Sequence, residues 1–168
     1  MSSSEVERVR DLIREAIVVT QFYDPPPRPL VGPDGKAQEV PLAELIQDAE
    51  SRLGEAFPPW LRQVYECCNG FAGPYDECIL YPLDTPEGVT EFTLFLREQK
   101  WAPPWMARAI VFGFVGGTGS LTTHTVALDG ELVEWRYLDG EKFTKPGGDL
   151  FDVWRRIQAA WDDLPKEE

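Results

Sequence analysis

Histidine occurs once in this chain and cysteine three times, and 16 lysines and arginines face 29 aspartates and glutamates. Each shortage closes off a class of function. Nonspecific nucleic-acid binding needs a basic footprint that displaces counterions, and a formal net charge of −13 argues against that partner. The same balance disfavours anionic membrane surfaces. No apolar run approaches membrane-spanning length, and the opening MSSSEVERVR lacks the apolar core of a secretory signal. Cys67, Cys68 and Cys78 are odd in number and include an adjacent pair ill suited to a disulfide, so a reducing cytoplasm is expected.

What is present suits a folded domain. The 168 residues are 43% hydrophobic and 12% aromatic, enough for one well-buried core and short for two. Between Leu45 and Gly70 the apolar spacing reads as two helices. Leu42, Leu45, Ile46, Ala49 and Leu53 share one face, then Leu61, Val64, Tyr65 and Cys68 another. Gly54 breaks the pair. Pro58 and Pro59 open the second helix, where a missing amide costs nothing, and Asn69-Gly70 is expected to stop it.

An earlier helix is expected from Ser4, as cap with Glu7 completing a capping box, to about Thr20. Phe22 to Pro41 reads as a loop with a small hairpin around Pro33-Asp34-Gly35. Beyond Gly70 the period changes. Cys78 to Tyr81 and Ala109 to Val115 read as strands, Val89 to Lys100 favours a helix opened near Pro86, and Trp101 to Trp105 a loop or tight turn. Thr122 to Leu128 and Glu131 to Leu138 alternate in character around Asp129-Gly130, a strong two-residue hairpin signal. Asp149 is the expected cap of a last helix carrying Leu150, Val153, Trp154, Ile157, Trp161 and Leu164 on one stripe. Helices first, strands in the middle and a helix last give an α+β fold, a single domain with a mainly antiparallel sheet. Residues 1–40 form a helix and proline-rich strap packed on the domain of residues 41–168.

Candidate chemistry is sparse, and no metal or cofactor is expected. Cys67, Cys68, Cys78 and His124 lack zinc-ribbon spacing, and free cysteine ordinarily fills core space. VGGTGS follows a strand but has neither the lysine of a Walker loop nor a helix after it, so it reads as a turn. The carboxylate pairs Asp76-Glu77, Asp162-Asp163 and Glu167-Glu168 are adjacent, not convergent across a cleft. Pro25 to Pro29 reads as a stiff strap. The aromatics carry more weight. Trp60, Trp101, Trp105 and Tyr75 lie in proline-bounded turns or helix starts, and such side chains often dominate interface energies. Rimmed by Asp76, Glu77, Asp84, Glu87 and Glu91, they form a candidate partner-binding set suited to a basic protein.

The order of these pieces resembles the SUKH superfamily, in its branch similar to the fungal cell-wall-assembly regulator. The resemblance rests on Ala49-Glu50, Leu53-Gly54, Phe57-Pro58, the helix to Tyr65, Asn69-Gly70, Ile79 to Leu83, Ile110-Val111-Phe112-Gly113 and Val126 to Gly130 leading into Val133. It spans roughly residues 41 to 163. Phe57 stands where leucine is usual, and Phe71-Ala72-Gly73 replaces a more glycine-rich continuation. The resemblance implies an α+β domain that binds proteins, with no general catalytic residues to carry over. In bacteria it implies an immunity protein that neutralises a cognate toxin by direct binding, and the acidity here suggests a basic toxin such as a nuclease. Two other expectations stand beside it. One is a regulatory scaffold for a cell-envelope or signalling partner, and the other a small-molecule binder or hydrolase using Cys68, Cys78 or His124.

Overall fold

The computed structural model describes residues 4, 7, 8, 11, 30, 31, 37 and 38, and from 41 to 162 all but 67–68, 73–77, 85–87, 116–122, 137–141, 147 and 149. Helix α1 (Leu42–Leu53) buries Leu45, Ile46, Ala49 and Leu53, the expected stripe. It stops at Gly54, whose φ of 68° places it in the left-handed region while its N–H bonds Glu50 O at 2.9 Å. Helix α2 (Pro59–Tyr65) starts on proline and buries Trp60, Leu61, Val64 and Tyr65. Glu50 holds the turn between them, accepting the Phe57 N–H at 2.8 Å and the Arg62 guanidinium.

Helix α2 ends at Tyr65, before the expected Asn69-Gly70 stop. Those two residues have another task. Asn69 accepts the Leu83 N–H and donates to the Asp84 carboxylate, both at 2.7 Å. Gly70 has φ 92°, and a Cβ there would lie 2.9 Å from Leu80 O. Together they lock one segment across the chain leaving the next strand.

Short strands β1 (Leu30–Val31) and β2 (Ala37–Gln38) pair antiparallel, giving the hairpin expected around residues 33–35. The main sheet contains β3 (Phe71–Ala72), β4 (Cys78–Leu80), β5 (Ala109–Val115), β6 (Thr123–Leu128) and β7 (Glu131–Arg136). Its order is β3-β4-β5-β6-β7, with antiparallel pairing at every step. The fold is thus a single α+β domain built on an antiparallel meander. Between β6 and β7, Asp129 (φ 51°) and Gly130 (φ 85°) both take positive φ, as a two-residue primed turn requires.

Alternation along the strands divides the core between two faces. Ile110, Phe112 and Ala127 pack under α1, α2 and helix α4 (Leu150–Asp162). Ala109, Val111, Val126, Leu128, Val133 and Trp135 face the other way, against Leu96 of helix α3 (Val89–Arg97) and Met106 of a 3₁₀ turn (Pro104–Arg108). The loop or tight turn expected from Trp101 to Trp105 is a loop to Pro103 that tightens into this 3₁₀ turn, which Pro103 and Pro104 start.

Helix α3 also closes a sheet edge. Strand β4 reaches only Gly113 to Val115 of β5, and among the described residues no strand covers the first half of β5 on that side. The Thr93 hydroxyl accepts the Val111 N–H at 3.0 Å and donates to Val111 O at 3.3 Å. Arg97 donates to Ala109 O at 3.0 Å and to Leu53 O at 2.7 Å. Two side chains stand in for a missing strand, so the edge offers no free template for another chain.

Ser4, Glu7, Arg8 and Asp11 are helical, so Ser4 lies inside a helix and not at its cap. Arg8 pairs with Asp152 of α4 at 3.0 Å, and its guanidinium sits 4.2 Å from the Phe151 ring centroid. The expected extent of that helix to Thr20, the strap at residues 25–29, the turn at 116–120 and the Asp149 cap lie outside the described residues. Among the described residues no helix is long and apolar enough to cross a membrane.

Candidate functional site

Register brings Phe114, His124 and Trp135 side by side on the α3 face, on three adjacent strands. Helix α3 lays Phe92 over His124, with ring centroids 5.5 Å apart, and His124 lies 5.7 Å from Trp135. Phe95, one turn further along the helix, stacks on Phe92 at 6.4 Å. Trp101 stacks on Trp135 at 6.4 Å, and Trp105 meets Trp135 edge-on at 5.5 Å. Phe143 meets Trp105 edge-on at 5.6 Å. The segment bearing Phe143 is held against β7 by reciprocal backbone bonds between Glu134 and Thr144.

Phe95 (53% exposed), Trp101 (47%) and Phe143 (40%) are the exposed large hydrophobic residues among those described. All three belong to this one connected set of rings. Beneath them Trp135 is 1% exposed. Edge-to-face and offset contacts at these spacings are the favoured aromatic geometries, so the outer rings are seated on a fixed base. An apolar surface built this way has an energetic reason to be covered by another molecule.

Reacting groups are scarce at this face. Burial among rings pushes His124 down to about 4, opposed by its hydrogen bond with the Gly113 backbone, so the imidazole is neutral at neutral pH. Its Nδ1 is buried with no hydrogen-bond partner among the described residues. Burial also raises the pKa of Tyr81, which meets Phe92 edge-on at 5.3 Å and stays a neutral phenol. Among the described residues no group of three or more His, Cys, Asp or Glu is placed to hold a metal ion. Cys67 and Cys68 lie outside the described residues, as does the side chain of Cys78.

The candidate partner-binding residues separate into groups. Trp101 and Trp105 meet on the ring platform. Trp60 does not join them: it is 6% exposed, packs edge-on against Phe112 at 5.6 Å and donates its indole N–H to Gly130 O at 2.9 Å. Its core position is a correction to the expectation that a tryptophan at a proline-opened helix start would face a partner. Asp84 is bonded to Asn69, and Glu91 is paired with Arg52 of α1. Neither touches the platform rings in any described contact. Tyr75, Asp76, Glu77 and Glu87 lie outside the described residues.

Phe95 and Phe143 are the additions the structure makes. Phe143 had a legible signal, since an aromatic isolated in the polar loop GEKFTKPGG has no periodic stripe to join. Phe95 shares a helical stripe with Phe92, and only the width of the sheet beneath shows that one of the two must project.

Residues 41–156 match the model of the SMI1 / KNR4 family (SUKH-1), more than half of the 168-residue chain. The chain belongs to that family. No curated protein matches it, and no solved structure does.

Proposed function

We propose that this SUKH-1 chain is a cytoplasmic, non-enzymatic immunity protein that neutralises a cognate toxin by occluding it. The supporting observation is the aromatic platform: Phe95, Trp101 and Phe143 are exposed together on rings packed above a buried Trp135. Rigid aromatic anchors contribute large contact area while losing little side-chain freedom, which is what the centre of a binding patch requires. A neutral, ring-enclosed His124 suits support of that surface better than proton transfer.

A net charge of −13 favours a basic toxin such as a nuclease, through long-range steering more than through close ion pairs. Asp84 and Glu91 are engaged elsewhere, so steering here is a property of the whole molecule. The test is co-expression with the toxin-like product of the adjacent reading frame. Expected are growth rescue and a stable complex, both lost in the Trp101→Ala, Phe143→Ala double variant while circular dichroism is unchanged. A complex that survives the double variant with unchanged affinity refutes the platform as the docking face. A complex with a cell-envelope or signalling enzyme in place of a toxin would instead make the chain a regulator.

A further inference from the structure

On the α4 face of the sheet, beside Arg156, lies a cavity of about 300 Å³. Its lining includes Arg136, Lys142 and Arg156 with one carboxylate, Glu134, and the neighbouring Phe143 and Thr144. Among the described lining residues, three cations against one anion is a local inversion in a chain of net charge −13. Clustered like charge costs free energy unless something of opposite sign is near.

The side chains are arranged by the fold. Register sets Val115, Thr123 and Arg136 in one row, so Arg136 comes from the last position of β7 on the same face as Glu134. Glu134 is 14% exposed and accepts from Arg156 at 2.8 Å, which fixes that guanidinium across from the sheet. The Glu134–Thr144 pairing then positions Lys142 and Phe143 at the rim. Glu134 thus offsets Arg156, while Arg136 and Lys142 have no ion pair among the described residues.

We propose that this cavity is a binding site for an oxyanion, a carboxylate or phosphate on a small ligand or side chain. Guanidinium presents a planar fork that matches such groups, and lysine adds a point charge. A volume near the low end for ligand pockets suits an oxyanion with a few carbons, and Val115 supplies an apolar wall for those carbons. The site stands apart from the toxin-binding reading; the two share only Phe143.

The probes are inorganic phosphate and glutarate, titrated separately into the full chain at constant ionic strength with chloride compensating. Amide resonances are followed by two-dimensional NMR. Saturable shifts of Glu134, Arg136 and Thr144 are expected, with Kd on the order of 1 mM. Arg136→Gln with Lys142→Gln should weaken binding at least about tenfold, the scale of one partly screened charge contact. Arg108→Gln, which only breaks an exposed pair with Asp129, should leave it unchanged. Saturation by phosphate alone assigns a phosphate ester, and saturation by glutarate as well assigns a carboxylate ligand. Shifts that grow linearly with both probes, or that persist in the double variant, overturn the proposal.

Discussion

Replacing His124 with phenylalanine should remove a specific part of the acid sensitivity of this protein. In the fold His124 is 8% exposed, enclosed by Phe92 and Trp135, and its pKa is pushed down to about 4. Unfolded, it returns to about 6.5. At pH 7.5 both states are neutral, and the difference contributes almost nothing. As pH falls below 6.5 the unfolded chain takes a proton that the folded chain refuses until about 4, so stability is lost across that window. At pH 5 the two values convert to a loss of about 2 kcal/mol. Phenylalanine fits between the two flanking rings and cannot titrate. Urea unfolding of both proteins at pH 7.5, 6 and 5 isolates the effect, because shared carboxylates cancel in the difference. Wild type should lose about 2 kcal/mol more than the variant between pH 7.5 and 5. Parallel pH profiles, agreeing within about 0.5 kcal/mol, would refute a neutral enclosed imidazole.

Thr93→Val should cost about 2 kcal/mol in urea unfolding, because the Val111 N–H and C=O both lose their bond to the hydroxyl, whereas Thr93→Ser should keep most of it. Gly70→Ala should cost about 2 kcal/mol or more, since φ is 92° and the new methyl meets Leu80 O and Pro82 N at 2.9 Å. Gly54→Ala, left-handed but with open space around it, should cost about 1 kcal/mol, and equal losses at the two sites would contradict the close approach at Gly70. Trp135→Ala should cost about 4 kcal/mol, whereas Trp101→Ala should cost about half that or less, since Trp101 is 47% exposed; comparable thermal shifts would mean that Trp101 is structural and not a surface ring.

Local signals in the sequence carried much of the fold. Asp129-Gly130 specified its turn because few residue pairs tolerate two positive φ values, and the flanking alternation then set β6 and β7. The stripe from Leu45 to Leu53 and the bounds of β5 were legible for the same reason: burial follows a short period. Contacts between distant segments were not legible. Trp60 looked free beside its prolines, yet its partner, the Gly130 carbonyl, lies seventy residues away. The edge-closing role of Thr93 and Arg97 depends on β4 being too short to cover β5, which no pattern within α3 reveals. Arg136, Lys142 and Arg156 occupy a strand end, a loop and a helix, and only the Glu134–Thr144 pairing and the Arg156–Glu134 bond bring them to one cavity.

The platform and the cavity make different demands on whatever docks here. Rings resting on a buried tryptophan are preorganised, so contact with them loses little side-chain entropy and chiefly lengthens residence time. A whole-molecule charge of −13 works earlier, during approach, and falls away with salt. A basic partner drawn in by that field would be repelled locally at Arg136 and Lys142 unless it presents an anion there or avoids that corner. The rings lie on the α3 face of the sheet and the cations on the α4 face, so that local rejection acts only on a basic partner that reaches around the β7 edge. Phe143, lying between the rings and the cations, is where that discrimination would be felt first, so truncating it should relax selectivity among basic partners as well as weaken binding.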